Sequence, residues 1–278
     1  MRNSSAAQIL FLPRRRRAAV SRFVVLCAAL FSAIVFAADS PPQFKNYTPK
    51  YRPFDKGEHA VYQATWLGVP VASAAIDMRP VVTDGKKSYH ATVKADSWRG
   101  LDWIFKMRDV IESTFDAETL HPLRFSFIQR ENKKANDTIA TVDPATHKWT
   151  VQRKENKKRR DFEFESPYAL DTVSAVYLAR SLEFKAGDSF QLEVFGGKSR
   201  YLVTLDVVGK ERVSVKGKQY EAFKIIPKVA DLSKTGYAKR VRQATAWITA
   251  DEQRLPVKMS AQVFVGSVNI ELAEEAGG

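Results

Sequence analysis

Glu58-His59-Ala60-Val61-Tyr62-Gln63-Ala64-Thr65-Trp66 is the stretch from which the fold can be read. A repeat of two places Ala60, Tyr62, Ala64 and Trp66 on one face of an extended strand. Leu67-Gly68-Val69-Pro70 follows as a turn, and Val71 to Val82 as a second strand. Asp84-Gly85, ahead of Lys86-Lys87, is a strong hairpin signal. Ser88 to Ala95 then returns with Tyr89, Ala91, Val93 and Ala95 in register. The meander predicts antiparallel sheet built from hairpins.

The same rhythm continues outward. Strand signals cover Asp109 to Phe115 and Leu123 to Gln129, and flank Asp143-Pro144-Ala145-Thr146. Phe162 and Phe164 alternate with Asp161, Glu163 and Glu165. Further runs cover Phe190 to Phe195, Tyr201 to Val208, Val213 to Val215 and Tyr220 to Ile226. Ala244 to Thr249, Leu255 to Val265 and Ser267 to Leu272 complete the set, with a bend at Gly266. Val203 to Val208 is nearly continuous apolar, as a strand covered on both faces would be. The one convincing helix is Asp171 to Leu182, capped by Asp171, with Val173, Val176, Tyr177 and Arg180 at helical spacing. A single helix of crossover length argues against parallel α/β. The expected architecture is mainly β: a strongly curved antiparallel sheet, an open barrel or β-spiral, with one helix of about three turns near residues 171–182. One domain is expected over residues 57–273, with an extended lead-in over 38–56 and a tail over 274–278.

The N-terminus reads as an address. Arg14 to Arg17 and Arg22 precede an apolar run, Phe23 to Phe36, which ends Val35-Phe36-Ala37 before Ala38-Asp39. That is a secretory signal peptide over residues 1–37, cleaved after Ala37. The run falls short of the roughly 20 apolar residues that span a bilayer. Cys27 follows Leu26 inside the apolar region, which argues against lipidation, and no Phe-Leu-Lys-like segment follows the arginines to suggest twin-arginine export. A periplasmic or otherwise exported location is expected, with the mature chain soluble.

Cleavage would remove six arginines and no acid, lowering Lys plus Arg from 44 to 38 against 31 acids and the net charge from +13 to +7. The remaining surplus suits anionic envelope surfaces without demanding nucleic acid. The only Cys would leave with the leader, so neither disulfides nor thiol chemistry are expected of the mature chain.

Four segments carry a family resemblance. They are Gly57-Glu58 with Trp66 to Ala72; Asp171 to Arg180; Trp247 to Asp251 with Arg254 to Lys258; and Gly266-Ser267-Val268 with Glu271-Leu272. In that order they resemble the exported bacterial proteins grouped as domain of unknown function 3108, over about residues 55–273. The resemblance implies an envelope location and one curved β domain, and no established activity. The closing tryptophan strand, acidic turn and Leu-Pro-Val strand are also similar, distantly, to lipoprotein-carrier half-barrels that hold acyl chains. That similarity concerns architecture, which does not fix function.

Catalytic signatures are weak. His59, His90, His121 and His147 are widely spaced, without a paired ligand motif. There is no Gly-x-Ser-x-Gly elbow, and Gly196-Gly197-Lys198-Ser199 reads as a hairpin turn. Asp161, Glu163 and Glu165 read as a charge-paired exposed strand beside Lys157 to Arg160. No catalytic residue, metal or cofactor is assigned. The best binding candidate is the aromatic segment, as a short helix or wide loop: Trp98, Leu101, Trp103, Ile104, Phe105 and Met107 could line a groove or plug the barrel end. Arg153, Lys154, Lys157, Lys158, Arg159 and Arg160 are candidates for contact with an anionic surface. Asp171, Arg180 and Trp247 are given structural roles. The reading favours a binder over an enzyme, its partner a lipid, lipoprotein, glycan or envelope protein, with peripheral membrane contact left open. A carboxylate-dependent hydrolase of cell-wall or glycan material and a structural scaffold are the alternatives.

Overall fold

The computed structural model describes residues 42–232, 243–263 and 266–277. The expected leader, its cleavage after Ala37, and Cys27 lie outside these residues. The first wall runs through β1 (Glu58–Trp66), β2 (Val69–Thr83), β3 (Lys86–Ser97), β4 (Arg108–Asp116), β5 (Pro122–Glu131), β6 (Lys134–Asp143) and β7 (Lys148–Glu155). Each pairs antiparallel with the one before. The short β8 (Lys158–Arg159) and β9 (Phe162–Glu165) both pair with β7 and make that edge. After β10 (Ala169–Asp171) and the helix α1 (Thr172–Ser181), the second wall begins with β11 (Ser189–Phe195), β12 (Arg200–Val215) and β13 (Lys218–Asp231). It continues through β14 (Gln243–Thr249), β15 (Pro256–Gln262) and β16 (Ser267–Gly277). β16 pairs with β1, so the two walls are one 16-stranded sheet, with β10 forming the far edge in parallel with β11.

The sheet is strongly curved and open, as the alternating pattern predicts. Among the described residues its two backbone edges do not pair, yet a side-chain seam joins them. Arg153 of β7 donates to the Gly197 carbonyl (3.0 Å) and to Thr138 of β6 (2.6 Å), and Thr138 donates to the same carbonyl (3.1 Å). Gly197 has a φ of +85° and sits against Phe125 and Phe127, a conformation that favours glycine. Just before β10, Ser166 donates to Glu193 of β11 (2.7 Å), tightening the same junction.

α1 fills one end of the curved sheet. Asp171 caps it, accepting from Val173 N (2.7 Å) and Ser174 N (2.9 Å), while the Ser174 hydroxyl accepts from Asp171 N (3.0 Å), a reciprocal capping box. Its second oxygen accepts from Ser113 of β4 (2.5 Å), which fixes the helix to the wall. Val173, Tyr177 and Arg180 face the core, but Val176 is exposed, at the margin of the apolar stripe rather than within it. Arg180 grips Glu58 with two bonds (2.5 and 2.8 Å) and donates to the Arg254 carbonyl (3.0 Å). Such a pair is tolerated in a core because each charge keeps its partner.

Three further differences from the sequence reading have physical causes. Val69 and Pro70 belong to β2, because Leu67 and Gly68, both at positive φ, complete a two-residue turn alone. The expected tail from 274 continues β16 to Gly277, paired with the start of β1. Val208 is exposed beside a bulge at Val207/Gly209, so the apolar run of β12 is not covered on both faces. Residues 42–52 have no regular structure and 53–56 form a turn, which carries Phe54 into the core, edge-on to Tyr177 at 4.8 Å.

Candidate functional site

The end opposite α1 is where the chemistry-bearing residues gather. Alternation sets which side chains share the helix-facing, inner surface: even positions of β1, β2 and β16, and odd positions of β3, β4, β5, β7 and β15. On β1 to β3 that surface is lined by alanines, at 60, 64, 72, 74, 91 and 95. Small side chains make this wall thin. Between the helix-packed core and the opposite end lies a belt of half-buried apolar groups: Trp66, Ala74, Ile76, Val93, Met259 and Ile270.

Further along the sheet, the matching stretch of β5 to β7 is polar on the same inner surface. Asn136 donates to Gln129 (2.9 Å), and Gln129 donates to Glu131 (2.8 Å). Glu155 takes ion pairs from Arg153 (3.1 Å), Arg160 (3.1 Å) and Lys198 (3.0 Å), and Lys198, with Arg153, holds its carboxyl below the usual range. Asp109 of β4 and Glu131 are each only 2 % exposed. Burial pushes the Asp109 carboxyl up to about 7, with Glu131 adding to the rise; its Oδ1 accepts from Arg130 N (2.7 Å) and its Oδ2 has no partner. Burial likewise raises Glu131.

The aromatic segment crosses this end of the sheet as a single 3-10 turn, Arg99–Leu101, within a connection fastened at several points. Arg108 pairs with Asp102 (2.8 Å) and Asp96 (3.3 Å). Ser97 donates to Asp102 (3.0 Å) and accepts from Met107 N (3.0 Å). Lys106 and Asn132 exchange two bonds (2.8 and 2.9 Å). The six candidates then divide. Phe105 and Met107 are fully buried against Ala64, Val71, Ala72 and Ala95, with Leu101 packed beside them. Ile104 is half-buried, while Trp98 and Trp103 are 56 % and 80 % exposed. The segment therefore plugs part of the inner face and displays two indoles outward.

The six basic candidates divide as well. Arg153 is buried in the seam and faces inward, so it is unavailable to a surface; Lys154, Lys157, Lys158, Arg159 and Arg160 are exposed. Trp247 is half-buried and donates to Glu211 (2.7 Å). Glu163 pairs with Lys148 (2.8 Å) and Asp161 pairs with Arg159, so the acidic strand is charge-paired and exposed. His59 sits by Asp77 (2.6 Å) and His90 by Thr114 (3.0 Å), each between neighbouring strands.

A hollow of about 10 Å³, room for one water at most, lies between the lead-in and β11, with Phe44, Tyr47 and Leu192 in its wall. A shallow depression of about 300 Å³ lies over β6 and β7, with Asp143, Lys148 and Thr150. Neither is lined by the inner belt, whose residues stand half-buried on the concave side of the sheet.

The match to known families follows this architecture. A family model described as a protein of unknown function, DUF3108, covers residues 61–273. The chain belongs to the DUF3108 family. Among solved structures, this DUF3108 chain is similar to a β-barrel-like protein of domain of unknown function DUF1849 from Brucella abortus. The TM-score is 0.50 at 10% identity, over 80% of this chain and 97% of that one, a likeness of fold alone. A Parabacteroides distasonis protein provisionally classed as a lipoprotein gives a TM-score of 0.33 at 9% identity, over 84% of this chain and 100% of that one. No curated protein matches the chain. Among the described residues, no helix is long and apolar enough to cross a membrane, which leaves strands out of account.

Proposed function

We propose that this DUF3108 chain is an exported envelope protein that binds one amphiphilic molecule, without chemistry, in the trough of its curved sheet. The observation that carries the reading is the division of the inner surface. Its apolar and polar parts differ in kind: the belt from Trp66 to Ile270 offers half-buried apolar area, and Gln129, Asn136 and Glu155 offer donors and acceptors further along the same inner surface. An acyl chain gains by removing apolar surface from water at about 25 cal/mol per Å². A polar head needs hydrogen-bonding partners of the second kind. The signal-like leader in the sequence supports an exported location, and a curved sheet that stays open suits a partner that must enter and leave.

A hydrolase reading draws on Asp109 and Glu131, two neighbouring carboxyls raised by burial. Both are closed off from solvent, which favours the binder. Titration with a fluorescent fatty acid tests the proposal. The protein should bind one equivalent, and Ala74→Arg, which projects a charge into the apolar belt, should weaken binding about tenfold or more while circular dichroism stays unchanged. Equal affinity in parent and variant, or no binding by either, would sink it.

A further inference from the structure

We propose that the rim opposite α1 docks onto an anionic phospholipid bilayer, presenting two tryptophans ringed by unpaired cations. This goes beyond the ligand held in the trough, since it concerns a different surface. Successive hydrogen bonds trace the rim. Trp98 N donates to the Val71 carbonyl (2.9 Å), Asn132 N to the Lys106 carbonyl (2.8 Å), and Asn156 N to the Ala135 carbonyl (2.6 Å). The β1–β2 turn, the aromatic connection, the β5–β6 turn and the β7–β8 turn therefore lie side by side.

Apolar groups stand out at one part of that rim. Leu67 and Val69, at the β1–β2 turn, are 62 % and 50 % exposed, and Trp98, which bonds to Val71 of β2, is exposed with Trp103 on the neighbouring connection. Both indoles pack about Gly100: the Trp98 ring lies 3.5 Å from where a β-carbon would stand, and Trp103 Nε1 donates to the Gly100 carbonyl (3.1 Å). The Trp103 donor is satisfied within its own loop, so the ring can enter a headgroup layer without losing a hydrogen bond. Tryptophan favours that interfacial depth.

Charge complementarity selects the occupant. Arg99, Lys106, Lys133, Lys134, Lys157 and Lys158 are all exposed along this rim, and none lies within ion-pair distance of an acid among the described residues. The turns at the helix-filled end instead mix Asp84, Asp116, Glu118 and Asp143 with Lys86, Lys87 and Lys216. Basic groups close to an anionic leaflet each strengthen binding about fivefold. The clamps from Arg108 and Asn132 hold the aromatic loop in place, so docking need not order it first.

Sedimentation with vesicles tests the proposal. The protein should pellet with vesicles of phosphatidylethanolamine and phosphatidylglycerol, release as salt rises, and stay in solution with pure phosphatidylcholine. Trp98→Ala with Trp103→Ala should weaken binding about tenfold, and Lys106→Glu, Lys133→Glu and Lys157→Glu together by about a hundredfold or more. All five positions are exposed, and circular dichroism verifies folding. Failure of the parent to pellet, equal pelleting with phosphatidylcholine, or parent-like binding by either variant would overturn the proposal. A protein that binds the fluorescent fatty acid yet ignores anionic vesicles would overturn docking alone and leave the trough reading standing.

Discussion

Asp109 is the residue whose burial has the clearest consequence. Its carboxyl ionises near 7 in the fold, chiefly because burial disfavours the charge, with the Arg130 N–H opposing and Glu131 reinforcing. In the unfolded chain it would ionise near 4. Between those values the folded state holds more protons, so stability falls as pH rises through that window and stays lower above it. Asp109→Asn keeps the acceptor for Arg130 N and removes the penalty. The variant should match the parent near pH 4 and exceed it at pH 8 by on the order of 2 to 4 kcal/mol, read from urea unfolding at both pH values. An unchanged pH dependence would show that the carboxyl carries no such burden. Parity could have located this group: Asp109 shares its face with Ile111, Ser113 and Phe115. Arg153 likewise follows Trp149 and Val151 on the inner face, but its place at the head of a cationic run makes it read as surface. The contact that buries it, Gly197, lies 44 residues away in the sequence.

At the scale of elements, hairpins are legible because their signals are local. Asp84-Gly85 supplies two residues at positive φ, and the strands on either side alternate. The helix is legible for the same reason: Asp171 and Ser174 stand three residues apart and cap each other. Its second role is invisible in sequence, since Ser113 reaches Asp171 from a different strand. Asp171→Ala should therefore cost more than an ordinary cap. A loss of about 2 to 4 kcal/mol is expected, from the cap and from Ser113 left buried without its partner. Thermal unfolding measures it; a loss below about 1 kcal/mol would mean the helix needs no such anchor. The aromatic connection shows the limit of local reading. Its composition says that large apolar groups gather there, but only the surrounding clamps decide that Phe105 turns inward while Trp103 turns out.

For the molecule as a whole, the curved sheet is one long antiparallel meander in which alanines and bulky groups share the inner face of β1 to β3. The order of strands was legible from hairpin succession. What closes the shell was not, because the return of β16 to β1 and the seam at Gly197 join residues distant in sequence. The proposed trough belongs to this scale: no single motif announces it, and it rests on the half-buried groups that lie between the helix-packed core and the aromatic plug. Native mass spectrometry of protein taken from its own cells, without detergent, tests that trough most directly. The parent should carry a one-to-one adduct of lipid mass, and Ala74→Arg should carry none. Bare polypeptide in both samples, or the same adduct on both, would contradict it.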